Sequence, residues 1–238
     1  MIARILSILF SLAALCAVLG FASTQAAERR VQSIEVNVKD AAQAEFLNGR
    51  RITEQLGTTR LEGELLDDVD LQSMVNHLET MGPCDHAEAY PTMDGTLHID
   101  VWQRTPLLRV HVNGGRDFYL DDGGKTMELD AYHTPHIPVM HVDRETQATM
   151  GYRFVKATEG DVFWDALTDQ LSMNDQGELV LHPRLAGHHI VLGNDKDVEH
   201  KKRNLLAFYR AHIERGNLRT YQRIDLTYRD QVIAQRYP

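Results

Sequence analysis

Short runs of alternating apolar and polar residues recur through the chain, and turns rich in glycine and aspartate separate many of them. The last run covers residues 221–235, where apolar Ile224, Leu226 and Tyr228 alternate with polar residues. Alternation with a period of two places one set of side chains on a buried face and the other set in solvent. The pattern predicts sheets with one covered face, and a strand that ends a chain is often an edge strand.

Two interpretations of this closing strand are compatible with the alternation. An edge strand exposes one row of backbone N–H and C=O groups, and a second chain can pair with that row by adding a strand. The alternative is an interior strand that is paired on both sides. The residues alone give these two interpretations comparable weight.

Composition limits the classes of partner and site. The chain has 238 residues, which is enough for one or two ordinary domains. Its formal net charge of −9 argues against a nucleic-acid partner, because neutralising phosphates needs clustered Lys and Arg. Cys16 lies in an apolar N-terminal run and Cys84 stands alone, so we expect neither an internal disulfide in the exported part nor a cysteine-based zinc site.

Residues 5–22 contain no charged side chain and are mostly apolar. At about 1.5 Å per residue, a helix of this length just spans a hydrocarbon core of about 30 Å. The run is either an uncleaved membrane anchor or a signal peptide with a cleavage site near residues 24–27. Either segment would export the remainder of the chain, and the length of the run favours the anchor. This predicts a short cytoplasmic tail at 1–4, a transmembrane helix at 5–22 and a linker at 23–30.

The first folded unit is predicted over residues 31–104 as an α+β module. Asp70 is a good helix N-cap, and Asp94-Gly95 is a strong hairpin signal. The predicted order is strand, helix, helix, strand, strand, with the helices packed on one face of a three-stranded sheet. The elements cover residues 31–38, 46–56, 71–78, 87–90 and 96–103.

The second unit is predicted over residues 105–238 as a larger, mainly antiparallel β domain. Many short alternating runs with Gly and Asp turns indicate antiparallel strands. Two stretches with helical spacing of apolar residues interrupt them, one at 162–171 and one from about 195 to 213.

The hairpin over residues 94–106 closes with Gln-Arg-Thr-Pro. Pro106 cannot donate to a β-ladder, so it ends the strand and marks a domain boundary. Together with the run 66–71, Leu78 and the stretch 87–90, this arrangement resembles the POTRA module of FtsQ/DivIB bacterial cell-division proteins.

Three stretches of the second unit extend this resemblance. Residues 113–123 resemble the family's glycine-bounded hairpin, residues 181–193 its Pro-Arg and Ile-x-Leu-Gly stretch, and residues 221–232 its closing strand. The resemblance covers nearly all of the chain, including the N-terminal anchor. The sequence departs from the family at Thr227, where a basic residue is usual, and in the long segment 186–189.

Twelve histidines raise the hypothesis of a metal site, and they are densest at His133, His136, His141 and residues 188–189. A zinc site needs three or four converging ligands, and no His-Glu-x-x-His motif is present. The Asp-Gly turns do not fit a calcium loop, and neither a nucleophile elbow nor a glycine-rich phosphate loop occurs. We expect no catalytic residue, no metal site and no cofactor.

The resemblance implies a non-enzymatic divisome scaffold that links early and late division proteins. It implies a single-pass protein of the inner membrane, with the bulk of the chain in the periplasm and at the division septum. The partners it implies are FtsB and FtsL, bound by strand addition at the C-terminal edge, without nucleic acid or a small-molecule substrate.

The partner-binding residues that we predict all lie in the closing segment. Ile224, Leu226 and Tyr228 are expected to support the edge from the core, and a proline at position 227 is expected to block strand addition. Arg229 is a candidate to pair with an acidic residue of the partner. The complete predicted set is Tyr221, Arg223, Ile224, Asp225, Leu226, Thr227, Tyr228, Arg229, Gln231 and Val232.

Two other functions stay open from the sequence. One is an exported POTRA-bearing module that binds substrate proteins in transport or outer-membrane assembly. The other is a secreted metal-dependent hydrolase that uses the histidines.

Overall fold

The computed structural model describes residues 10, 12–17, 29–39, 46–131, 133–185 and 187–238. Contacts divide the chain into two compact units, one up to Gln103 and the other from Arg104. Residues 12–17 are helical. Within the described residues, no helix has both the length and the apolar character that crossing a membrane requires. The predicted tail, most of the predicted span and most of the linker lie outside the described residues, so the anchor stays a prediction.

The first unit is a three-stranded sheet with two helices, in the predicted order. The outer strands flank β3 in the order β1-β3-β2, with β1 parallel and β2 antiparallel to it. The elements are β1 (Ser33–Lys39), α1 (Gly49–Leu56), α2 (Leu71–Glu79), β2 (Cys84–Pro91) and β3 (Thr96–Gln103).

Local side-chain hydrogen bonds set where the two helices begin. Asn48 caps α1, since its Oδ1 accepts from the backbone N–H of Arg51 at 2.8 Å. Asp70 caps α2 as predicted, since its Oδ1 accepts from the N–H of Ser73 at 2.9 Å. Each cap satisfies a donor that the first helical turn leaves without a partner. The cap at Asn48 also explains why α1 begins three residues later than the predicted start at residue 46.

The second unit is built on one nine-stranded sheet with the order β12-β11-β10-β9-β8-β7-β4-β5-β6. Its first half contains β4 (Pro106–Val112), β5 (Phe118–Asp121), β6 (Thr126–Glu128), β7 (Val139–Val142), α3 (Ala148–Thr158) and α4 (Val162–Leu167). Its second half contains β8 (Thr168–Met173), β9 (Leu179–Pro183), β10 (His189–Gly193), α5 (Val198–Ile213), β11 (Tyr221–Asp225) and β12 (Ile233–Arg236).

The sheet is mixed, although antiparallel pairs are the more numerous. The pairs β4–β7, β7–β8 and β10–β11 are parallel. A parallel pair needs a crossover connection, and helices supply it between β7 and β8 and between β10 and β11. The helix predicted over 162–171 is wrong after Leu167, because residues 168–173 form β8.

Helix α3 is absent from the elements that the sequence predicts, and Gly151 in its middle explains why. Glycine destabilises a helix interior, so the sequence around Gly151 does not favour a helix. In the structure this glycine allows α3 to lie close against the sheet. A Cβ atom at position 151 would overlap Sδ of Met140, which is fully buried on β7.

The core of the second unit fills one face of the sheet. Inward side chains of the strands, such as Leu108, Met140 and Leu181, pack in one cluster with Phe154 of α3 and Trp164 of α4. The opposite face, which we call the open face, carries polar side chains that are exposed or half-exposed. They include Arg109, His111, His141, Ser172 and His182.

The histidine His188 is buried against helix α5. His188 is 2% exposed, and its Nε2 lies 2.7 Å from the hydroxyl of Tyr209 on α5. Its Nδ1 is also buried and has no hydrogen-bond partner among the described residues. Burial, with a smaller contribution from His189, lowers the pKa of His188 to about 4. The imidazole is therefore neutral in the folded protein at neutral pH.

Acidification should destabilise the fold through His188. The pKa is about 4 in the folded chain against an ordinary value of 6.5, so the unfolded chain binds more protons between these two values. The free energy of unfolding should fall by up to roughly 1 kcal/mol per pH unit as the pH drops through this range. Urea unfolding of the wild type and of His188→Gln at several pH values measures this, and the variant should show a flatter profile.

The exposed His136 provides the control for this comparison. A His136→Gln variant should keep the wild-type pH profile. Burial also lowers the pKa of His182 and His189, but both are present in every protein compared, so their effects cancel in the difference. Identical pH profiles for the wild type and His188→Gln would contradict the assignment.

Candidate partner-binding site

The closing segment folds as a hairpin, so the prediction of one edge strand over residues 221–235 is wrong. Strand β11 ends at Asp225, and β12 returns antiparallel to it after a loop at 226–232. Strand β11 lies between β10 and β12, whereas β12 forms the edge of the sheet. We call β11, the loop 226–232 and β12 the closing hairpin. The exposed edge that the sequence predicts is therefore present, but it belongs to residues 233–236.

Buried side chains hold the closing hairpin to the core. Ile224 and Leu226 are 0% and 2% exposed, which confirms them as core supports. Tyr221 is also buried, and its ring lies 5.1 Å from that of Phe208 on α5. Tyr228 is 50% exposed, so its predicted role as a core support is wrong. The alternation of β11 has already ended three residues earlier, and Tyr228 lies in the loop.

Asp225 fixes the start of the loop 226–232. One carboxylate oxygen, Oδ1, accepts hydrogen bonds from the backbone N–H and the hydroxyl of Thr227 at 3.0 and 2.6 Å. The other, Oδ2, accepts from the guanidinium of Arg223 at 2.8 Å. The side chains of Arg223, Asp225 and Thr227 are thus engaged with one another. A proline at 227 would remove this internal bond and not a ladder bond, which corrects the predicted effect of that substitution.

Helix α5 and strand β10 fix the rest of the loop. His200 Nε2 and Asn204 Nδ2 both donate to the backbone carbonyl of Arg229, the latter at 2.9 Å. A Cβ atom on Gly193, whose φ is +77°, would lie 2.8 Å from the Thr227 methyl carbon, so only glycine lets the two segments approach this closely. The loop is therefore held from two sides.

The remaining predicted residues differ in exposure. The side chains of Tyr228, Arg229 and Gln231 are exposed on the loop 226–232. Val232 is partly buried and packs against the core. The hairpin thus brings Tyr228, Arg229 and Gln231 together at the surface, while Ile224 and Leu226 stay beneath it.

The backbone of β12 offers hydrogen-bonding groups on its outer side. The N–H of Tyr237 donates to the carbonyl of Thr220 at 3.0 Å, so the polar groups of residue 237 face β11. Directions alternate along a strand in an antiparallel pair, which turns the groups of Ala234 and Arg236 outward. No hydrogen bond to these outward groups is present within the described part of the chain.

The opposite edge of the sheet is different. Arg104 forms an ion pair with Asp121 at 2.6 Å and donates to the carbonyls of Lys125 and Thr126 at 3.2 and 3.0 Å. Thr126 belongs to β6, so a side chain of the same unit already occupies an acceptor of that edge. At β12, by contrast, no side chain of the described residues engages the outward backbone groups.

The position of β12 could have been found from the sequence. At about 3.3 Å per residue, a strand over residues 221–235 would be roughly 50 Å long, whereas strands usually have about five or six residues. The polar run from Arg229 to Gln231 also interrupts the alternation. Both signals point to a turn in the middle of the segment.

The comparisons with known proteins agree with the fold. A family model described as FtsQ/DivIB, C-terminal related, matches residues 105–235, and a model of a POTRA-like domain matches residues 29–102. The chain therefore has a POTRA-like domain and a larger sheet domain, and it belongs to the FtsQ/DivIB family. A search of curated proteins found no match.

Membership of this family indicates a general role in cell division. FtsQ/DivIB proteins are associated with the division septum and the membrane, and they act through protein–protein interactions within the divisome. FtsQ/DivIB and POTRA families are generally non-enzymatic. Among the described residues, no group of three or more His, Cys, Asp or Glu side chains is arranged to hold a metal ion.

Removing the carboxylate of Asp225 should loosen the loop 226–232. In Asp225→Ala, the N–H and hydroxyl of Thr227 and the guanidinium of Arg223 lose their acceptors, so the free energy of unfolding should fall by about 1–3 kcal/mol. Hydrogen exchange followed by mass spectrometry should show faster exchange of the loop amides. Asp230→Ala, an exposed change in the same loop, should leave that exchange at the wild-type rate. Equal exchange in Asp225→Ala and the wild type would show that the loop is held without this residue.

Proposed function

We propose that the protein is a divisome scaffold that binds FtsB- and FtsL-type proteins by strand addition at β12. The observation that carries the proposal is the outward row of backbone groups at Ala234 and Arg236, on an edge strand that β11 joins to the sheet. An edge that is already formed favours strand addition, because less conformational freedom is lost when the partner strand pairs.

The backbone of β12 supplies affinity in this proposal, and neighbouring side chains supply specificity. Ile233 and Tyr237 are 47% and 48% exposed, so they present apolar surface beside the added strand. Arg229 is exposed on the adjoining loop and is suited to pair with an acidic side chain of the partner. Tyr228 and Gln231, exposed on the same loop, belong to this contact surface.

Each of the other segments of the chain has a role in this scaffold. Residues 5–22 anchor the protein in the inner membrane, between a cytoplasmic tail at 1–4 and a linker at 23–30. The POTRA-like domain at 31–104 recruits earlier division proteins or membrane neighbours. The β domain at 105–238 binds the later partners in the periplasm, so the chain links the two groups.

A proline at position 234 should block the added strand. The N–H of Ala234 points away from β11, so Ala234→Pro removes an outward donor and leaves the β11–β12 ladder intact. Co-purification of the co-expressed FtsB-type partner should fall at least tenfold. The thermal midpoint of the purified protein should stay close to the wild-type value, which shows that the fold is kept.

The matched control lies on the opposite edge of the same sheet. Glu128 is exposed on β6, and the bond from the N–H of Asp121 to the carbonyl of Lys125 implies by alternation that the groups of residue 128 face outward. Glu128→Pro should therefore retain wild-type partner capture. If a folded Ala234→Pro variant also captures its partner at the wild-type level, β12 is not the binding edge.

A fluorescent fusion tests the cellular location. A fusion to the full chain should form a band at midcell in dividing cells, as expected of a divisome scaffold. A version that lacks residues 1–22 but carries a cleaved export signal should lose the membrane association that the proposed anchor provides. A diffuse periplasmic signal from the full-chain fusion would contradict both the location and the scaffold function.

A further inference from the structure

Four histidines form a row across the open face of the second unit, away from the closing edge. His111 on β4 and His141 on β7 are direct neighbours in the register of that parallel pair. His182 on β9 and His189 on β10 lie further along, with their ring centres 6.4 Å apart. Ser172 lies next to His141 in the register of β7 and β8. The row is built by strand pairing, and the side chains of the row are exposed or half-exposed.

The separation of His111 and His141 matches that of two imidazoles on one metal ion. Their ring centres are 5.3 Å apart. A zinc ion lies about 2.0–2.1 Å from an imidazole nitrogen and so roughly 3.2 Å from the ring centre, which places two ring centres roughly 5.2 Å apart at a tetrahedral angle. The rings cross at 69°. With His111 held by Asp117, a rotation of the exposed His141 ring about its side-chain bonds would direct one of its nitrogens toward the ion.

Asp117 orients the first of these rings. Its Oδ1 lies 2.8 Å from Nδ1 of His111, and its Oδ2 accepts from Arg109 at 3.0 Å. A carboxylate at Nδ1 keeps the proton on that nitrogen and leaves the Nε2 lone pair free for a metal. The same carboxylate offsets the positive charge of Arg109 beside the pair. Carboxylate–histidine–metal arrangements of this kind are common around zinc.

There is room for an ion and its water ligands in front of the pair. A pocket of about 350 Å³ is lined by both histidines and by the polar side chains of Asn113, Asp143, Gln147 and Ser172. The two imidazoles supply two protein ligands, fewer than the three or four of an ordinary zinc site, and water completes the shell. Asp143 and Ser172 are polar groups of the pocket wall near that shell.

We propose that His111 and His141 bind one divalent transition-metal ion of the zinc, nickel or copper class, with Asp117 as the residue that positions His111. Imidazole nitrogen is a preferred ligand of these ions. The site lies on the open face of the sheet and not at β12, so it is a second functional surface, separate from the strand-addition edge.

The other two histidines of the row are poorer candidates. The Nε2 of His182 is 2.8 Å from the hydroxyl of Ser172 and is engaged there. The ring centres of His182 and His189 are 6.4 Å apart, farther than the roughly 5.2 Å that two imidazoles on one tetrahedral ion require. The pair His182–His189 therefore serves as an internal control with the same side chains on the same face.

Isothermal titration of the untagged full chain with ZnCl2, in a buffer that does not bind metals, tests the site. The wild type should bind one ion with a saturable isotherm. His141→Gln should weaken binding at least tenfold, and Asp117→Asn should weaken it by about 10–100-fold through the lost orientation of His111. His189→Gln should bind as the wild type does. Thermal unfolding without metal checks that each variant is folded.

Each result decides the proposal. Saturable binding that His141→Gln loses and His189→Gln keeps supports the site. Absence of saturable binding in the wild type, or equal affinity in the wild type and His141→Gln, overturns it. Wild-type affinity in Asp117→Asn would remove that residue from the site and leave the two histidines.

Discussion

The parallel pairing of β10 with β11 determines where the end of the chain lies. Ile190 and Ile224 are register partners in this pair, and both are fully buried. A parallel pair requires the chain to cross back over the sheet, and α5 makes that crossing. The same helix then supplies His200 and Asn204 to the carbonyl of Arg229, so one topological requirement also anchors the loop between β11 and β12. Without this crossover, the loop between β11 and β12 would lose the hydrogen bonds from His200 and Asn204.

The features predicted correctly from the sequence are those that depend on neighbours in the chain. The cap at Asp70, the end of α1 at residue 56 and the turn at Gly95 are local, and each is present in the structure. The burial of Ile224 and Leu226 also agrees with local alternation. These signals are sufficient to predict the order of elements in the first unit and the existence of a covered sheet in the second.

The features that the sequence does not reveal depend on distant contacts. From the sequence, Gly151 is unfavourable in a helix. The structure shows why glycine is needed there, because Met140, eleven residues away on β7, leaves no space for a Cβ atom. The His111–His141 pair is separated by 30 positions and arises only from the parallel register of β4 and β7. Alternation does not record a reversal of direction, so it predicts one strand in the closing segment and not the hairpin of β11 and β12.

The contrast between the two ends of the nine-stranded sheet limits how it can assemble. At one end, Arg104 donates hydrogen bonds to the carbonyls of Lys125 and Thr126, where β6 begins. At the other end, β12 presents outward backbone groups. Growth of a continuous sheet needs two complementary edges on every molecule. In the nine-stranded sheet, the end at β6 already has one backbone acceptor engaged by Arg104. The guanidinium of Arg104 thereby hinders edge-to-edge extension of this sheet at β6.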